Sequence, residues 1–97
     1  MITLANPVHP GRILQDEFLD ELGLSAGQLA KALHVPRTRI ERLIKGETSM
    51  TVDTAKRLEA RFGMDAGTWM NLQTNYDLAM AARDEDLNEV LSRIEAA

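Results

Sequence analysis

Ninety-seven residues, 44% of them hydrophobic and 27% charged, describe one small folded domain and exclude wholesale disorder. The absence of cysteine excludes a disulfide scaffold, a thiolate zinc site and a cysteine nucleophile. The net charge of −4 is unevenly spread: residues 1–62 carry nine basic and eight acidic side chains, residues 63–97 two basic and seven acidic. Within 31–45, Lys31, Arg37, Arg39, Arg42 and Lys45 face a single anion, Glu41, an asymmetry that marks one electrostatically distinct face.

Residues 1–9 show no periodic pattern and are expected to form an N-terminal arm. His9-Pro10-Gly11 opens a first helix, with the proline where its missing N–H costs nothing. Ile13, Leu14, Phe18, Leu19 and Leu22 form its inward stripe, and Gly23 ends it. Ser25 and Gln28 make a capping box for a short helix over about 26–33, with Leu29, Ala30 and Leu33 inward. His34-Val35-Pro36 breaks that helix, and Pro36 starts a third that runs to about Lys45 and stops at Gly46. Thr51 caps a fourth carrying Val52, Ala55, Leu58 and Phe62, which Gly63 terminates. A fifth, capped at Asp65 or another residue before Thr68, contains Trp69, Leu72, Tyr76 and Met80. Beyond Arg83, the acidic run Asp84-Glu85-Asp86 precedes Leu87, Val90, Leu91 and Ile94 at helical spacing. The few aromatics and many Leu, Ala and Met residues suit helices packed on helices. The expected fold is all-α: a five-helix domain over 10–83 and an acidic amphipathic tail over 84–97.

The two short helices within about 25–45, joined by a tight turn, form a helix-turn-helix whose second helix suits the DNA major groove. On a wheel with Ile40 at zero, Leu43 and Ile44 fall within about 60° of it, whereas Thr38, Arg42 and Lys45 fall at about 140–200°. Arg37 and Arg39 flank the N-terminal turn, the end that meets base edges in this docking mode. Arginine matches guanine O6 and N7 with two parallel hydrogen bonds, and threonine contacts bases or a thymine methyl. Lys45, Arg39, Thr48 and Ser49 suit phosphates, as does Gln28 at the start of the preceding helix.

His9-Pro10-Gly11-Arg12-Ile13-Leu14, Leu29-Ala30-Lys31-Ala32-Leu33, Arg39 to Gly46 and Trp69-Met70-Asn71-Leu72-Gln73-Thr74-Asn75-Tyr76-Asp77-Leu78 occur in that order. Together they resemble the HigA/VapI-type antitoxins, a branch of the phage-repressor-like (XRE) helix-turn-helix proteins, over residues 7–83. The resemblance implies a homodimeric repressor of its own operon that binds a palindromic operator and neutralises a HigB-type, RelE-fold mRNA endonuclease. It places Arg37, Thr38 and Arg42 on base edges, and Gln28, Arg39, Lys45 and Thr48 on phosphates. Two positions depart from the family pattern. His34 stands where glycine is usual in the turn, and Glu47 where relatives are often basic. The second departure implies modest affinity, and counterion release implies strong dependence on salt.

A helix-turn-helix dimer needs a self-association surface, and the stripe Trp69, Leu72, Tyr76 and Met80 is the expected one, with closure of the chain's own core as the alternative. Asn71 and Gln73 are expected to serve backbone hydrogen bonds. The tail stripe is too short to stand alone, so it packs on the domain, a second subunit or a partner, or frays. The tail and the N-terminal arm are equal contenders for contact with a basic toxin. Neither histidine has a metal-ligand partner at a recognised spacing, and no phosphate loop or nucleophile motif occurs. No enzyme activity, metal or cofactor is expected. No apolar run approaches the ~20 residues that span a bilayer, and Met1-Ile2-Thr3-Leu4 lacks a signal-like start, so a cytoplasmic location is the default. A regulator of the same family without a toxin is the alternative reading.

Overall fold

The computed structural model describes residues 7–97; the part of the N-terminal arm before Pro7 lies outside the described residues. The first helix, α1, runs from Pro10 to Leu22 in three joined stretches: α-helical Pro10–Ile13, π-helical Leu14–Leu19 and α-helical Asp20–Leu22. Then come α2 (Ala26–Leu33), α3 (Arg37–Ile44), α4 (Val52–Phe62), α5 (Ala66–Ala82) and α6 (Glu85–Leu91). The described chain is all-helical, and α2 and α3 are the expected helix-turn-helix pair.

Most boundaries follow from local chemistry. His9 caps α1, its Nδ1 accepting the Gly11 N–H at 2.9 Å. Ser25 Oγ accepts from Gln28 N at 3.1 Å while Gln28 Oε1 accepts from Ser25 N at 2.8 Å, so the capping box is closed on both sides. Thr51 caps α4 through Thr54 N, and left-handed Gly63 ends it. His34 adopts φ 59°, ψ 44°. Its N–H bonds to Lys31 O at 3.2 Å and the next, Val35 N, to Ala30 O at 3.0 Å. These two bonds are a Schellman closure, which holds a β-carbon in a region that glycine favours.

The π-helical stretch is the departure within α1. In a regular α-helix Leu14 and Leu19 would point about 140° apart. Here both are buried, because i→i+5 bonding aligns residues five apart; the Gln15 and Asp20 side chains bond directly at 2.6 Å. The wider turns shift the register beyond Leu19, and Leu22, expected in the stripe, is 57% exposed. Val52, the first residue of α4, is also exposed.

The core gathers Leu14, Leu19, Leu29, Ile40, Leu43, Met50, Leu58 and Trp69, each large apolar side chain contributing about 1.5–3 kcal/mol on burial. Phe18 stacks between Phe62 (centroids 4.8 Å) and Trp69 (5.4 Å). Trp69 is wholly buried, with its indole N–H unpartnered among the described residues. It therefore belongs to this chain's own core and is not available to a second copy, which corrects its place in the expected dimer stripe. α6 rests on the end of α5, and Asn88 Nδ2 donates to Ala82 O at 3.0 Å. Its apolar residues Leu87, Val90 and Leu91, like Ile94 beyond it, remain exposed.

One glycine fixes a helix crossing. Gly11 lies so close to α3 that a methyl group there would come within 1.9 Å of the Leu43 carbonyl oxygen. Gly11→Ala is expected to destabilise the fold by about 1–3 kcal/mol or more through this clash, read as a lowered urea midpoint with unchanged m-value. An unchanged midpoint would show that α1 and α3 do not cross so closely.

Candidate nucleic-acid interface

Ile40 and Leu43 are buried beneath α3, while Arg37, Thr38, Arg39 and Arg42 are exposed on it. With its inner edge held by two core residues, the helix has one face left to offer, and that face is basic. Thr38, Arg39, Arg42, Thr48 and Ser49 border one surface groove of about 500 Å³ between α3, the loop that follows it and the start of α4.

The structure does not bring every expected contact residue to this groove. Arg37 leaves it and lies across the first turn of α2, its Cδ 3.5 Å from where a Gly27 β-carbon would stand. Gln28 is exposed on that same turn, with Oε1 committed to the capping box. Lys45 lies on the far side of the loop, beside His9, Ile44 and Tyr76 in a second groove.

Each α3 arginine meets a carboxylate. Arg37 Nε donates to Glu41 Oε2 at 3.0 Å, Arg39 Nη1 pairs with Asp53 Oδ2 at 2.5 Å, and Arg42 Nε lies 3.7 Å from Glu47 Oε1. Asp53 also takes Arg57 Nε at 2.9 Å, and Arg57 Nη1 donates to Leu33 O, a terminal carbonyl of α2. The guanidinium of Arg57, then that of Arg39, holds the Asp53 carboxyl below the usual carboxylate range. Exposed pairs of this kind add little stability, about 0–1 kcal/mol each; their effect is on where the guanidinium groups point.

The loop carrying Thr48 and Ser49 is held at both ends. Buried Gln73 of α5 accepts the Met50 N–H on Oε1 at 2.7 Å and donates from Nε2 to Asp77 Oδ1 at 2.9 Å. This is the backbone service expected of Gln73; Asn71 is exposed instead. At the other end His9 packs against Gly46 and meets the Tyr76 ring edge-on, with centroids 5.0 Å apart. Its place in the sequence marks His9 only as the residue that opens α1. Its further task, bracing the loop against α5, depends on contacts across the fold that no local pattern records.

A helix-turn-helix with an outward basic second helix defines the class. The family model described as "Helix-turn-helix" (HTH_3) matches residues 16–69. Virulence-associated protein I of Dichelobacter nodosus is 51% identical over 78 residues, covering 80% of this chain and 72% of that protein. Antitoxin GraA superposes with a TM-score of 0.89 at 33% identity, covering 95% of this chain and 98% of that one. Pseudomonas aeruginosa antitoxin HigA, solved with the higBA promoter, superposes with a TM-score of 0.86 at 38% identity, covering 93% and 97%. The chain belongs to the helix-turn-helix (HTH_3) family, in the HigA/VapI-type branch of the XRE antitoxins.

Burial lowers the His9 pKa from its ordinary 6.5, against smaller opposing effects of the Thr48 backbone and the Asp77 charge. Protonation would also place a hydrogen on Nδ1, where the Gly11 N–H already points. The folded state thus prefers neutral imidazole. Its contribution to stability is complete above 6.5 and is lost as pH falls through the depressed folded value. Between pH 7.5 and 5.5, urea unfolding of the native chain is expected to show a larger loss of stability than that of His9→Asn, which keeps a capping oxygen but does not titrate. Equal losses would remove His9 as the cause.

Proposed function

We propose that this chain is the antitoxin of a type II toxin–antitoxin module, a homodimeric autorepressor that binds its operator with α3 in the major groove and neutralises a HigB-type, RelE-fold mRNA endonuclease. The observation that carries the reading is the basic outer face of α3, set by the burial of Ile40 and Leu43 beneath it. In this reading Arg37, Thr38 and Arg42 meet base edges. Arg39 and Thr48 meet phosphates beside the groove, Gln28 offers its free amide nitrogen at the start of α2, and Lys45 reaches the backbone from the loop's other side. Support comes from relatives of the same fold: antitoxin GraA was solved in complex with its operator, and HigA with the higBA promoter.

Two recognition helices must lie about 34 Å apart to read successive turns of one face of the duplex. With Trp69 withdrawn into the core, the self-association surface is proposed to use Leu72, Tyr76 and Met80, the rest of the expected stripe, which stay on one side of the helix. Of these, Met80 is 42% exposed, and Leu72 and Tyr76 are half-buried. The chain is proposed to act by binding alone, without a catalytic group, metal or cofactor, and in the cytoplasm. Among the described residues no helix is long and apolar enough to cross a membrane.

The direct test is a mobility-shift assay on the DNA immediately upstream of its own coding sequence, with and without the protein of the adjacent gene. Native chain is expected to shift that duplex in preference to a shuffled one. Arg42→Ala is expected to lose about 1–3 kcal/mol of that preference, a bidentate base contact's worth. Unaltered preference would remove α3 as the reading helix. Co-purification of a small basic neighbour supports the antitoxin assignment; a neighbour that neither binds nor is inhibited leaves a regulator without a toxin.

A further inference from the structure

The atoms through which the arginines are held point to a second layer of control. Glu41 and Glu47 approach Arg37 and Arg42 at Nε, on the side of the guanidinium, at 3.0 Å and 3.7 Å. Asp53 instead takes Arg39 end-on, at Nη1. A guanidinium has five N–H donors in a fixed plane. Held at Nε, it keeps the terminal Nη pair, the fork that matches guanine O6 and N7, turned away from the carboxylate. Held at Nη1, it has given up part of that fork. The division follows the roles proposed above: of the two base-reading arginines, Arg37 is hydrogen-bonded from the side and Arg42 has Glu47 beside its Nε at ion-pair distance, whereas the phosphate contact Arg39 is bonded at its tip.

We propose that Glu41 and Glu47 are positioning residues for DNA selectivity, restraining Arg37 and Arg42 at Nε so that their terminal Nη forks stay free for base edges, while setting negative charge against the surrounding phosphates. The inference rests on the DNA-binding reading above. The two effects act in opposite directions on the two kinds of DNA. Repulsion between a carboxylate and the phosphate backbone weakens contact with any sequence. Orientation of the fork lowers the ordering cost of a base contact, and that gain exists only where the right base is present. Selectivity is a difference of affinities, and it grows when the wrong partner is penalised as well as the right one favoured. Asp53 has a different place: its simultaneous grip on Arg57, which reaches the Leu33 carbonyl, ties it to the frame of the fold.

The experiment measures the Kd of native chain, Glu41→Gln, Glu47→Gln and Glu47→Asp by fluorescence anisotropy. The probes are the duplex immediately upstream of its own coding sequence and a shuffled duplex of equal length and composition, each over a range of salt. Each glutamine variant is expected to bind the shuffled duplex about 2- to 5-fold tighter, the range set by exposed ion pairs. Its plot of log K against log salt should steepen by about 0.9 for the charge removed. Affinity for the upstream duplex should not rise in step, so the ratio between the two falls, whereas Glu47→Asp keeps the native ratio. Equal gains on both duplexes, or none on either, overturn the inference even if native chain prefers its upstream DNA. If native chain itself does not distinguish the duplexes, the DNA-binding reading fails and takes this inference with it. Matching thermal melts for all variants confirm that the carboxylates are not acting through the fold.

Discussion

Everything the recognition face can do depends on how α3 is rotated about its own axis, and that rotation is fixed from below. Ile40 and Leu43 are buried, each worth about 1.5–3 kcal/mol, and the Leu43 carbonyl sits against Gly11, where no side chain would fit. The ion pairs above are worth about 0–1 kcal/mol each. The core therefore decides which way the helix faces, and the charges decide only how the exposed arginines are held. A polar substitution at Ile40 would turn the face by losing the anchor, whereas changes at Glu47 leave the helix where it is.

The same frame links the basic face to α5. Gln73 bonds the backbone at Met50, at the end of the loop, and Tyr76 packs against His9, which abuts Gly46 at the loop's start. The helix proposed to join two copies is thus the helix that holds the loop proposed to face phosphates. Met80, one turn beyond Tyr76, is exposed and makes none of these contacts. Tyr76 belongs both to the proposed self-association stripe and to the brace on His9, so the proposed dimer and the loop draw on one support.

The sequence made the local features readable and hid those that depend on distant contacts. Ser25 with Gln28, Thr51, Gly63 and Pro36 act within a few residues of themselves, and each lies where a propensity argument puts it. The arginine partners are a mixed set. Arg37 with Glu41 is an i,i+4 pair visible on a helical wheel, but Arg39 with Asp53 spans fourteen positions and requires the fold. The stripe on α5 has helical spacing, yet spacing alone does not tell a core tryptophan from an interface one; that distinction lies in the complete burial of Trp69 against Phe18. The π-helical stretch did leave a trace: Ile13 and Phe18, like Leu14 and Leu19, are apolar pairs five apart, a period that an α-helical reading absorbs without remark.

The central claim is that α3 and the loop after it, and not the α5–α6 surface, meet DNA. Amide chemical-shift mapping during titration with the upstream duplex tests it most directly. The account predicts that the largest perturbations fall within 25–49, with the exposed α6 amides nearly still. Perturbations concentrated on α5 and α6, with the amides of Arg37 to Arg42 unmoved, would contradict it.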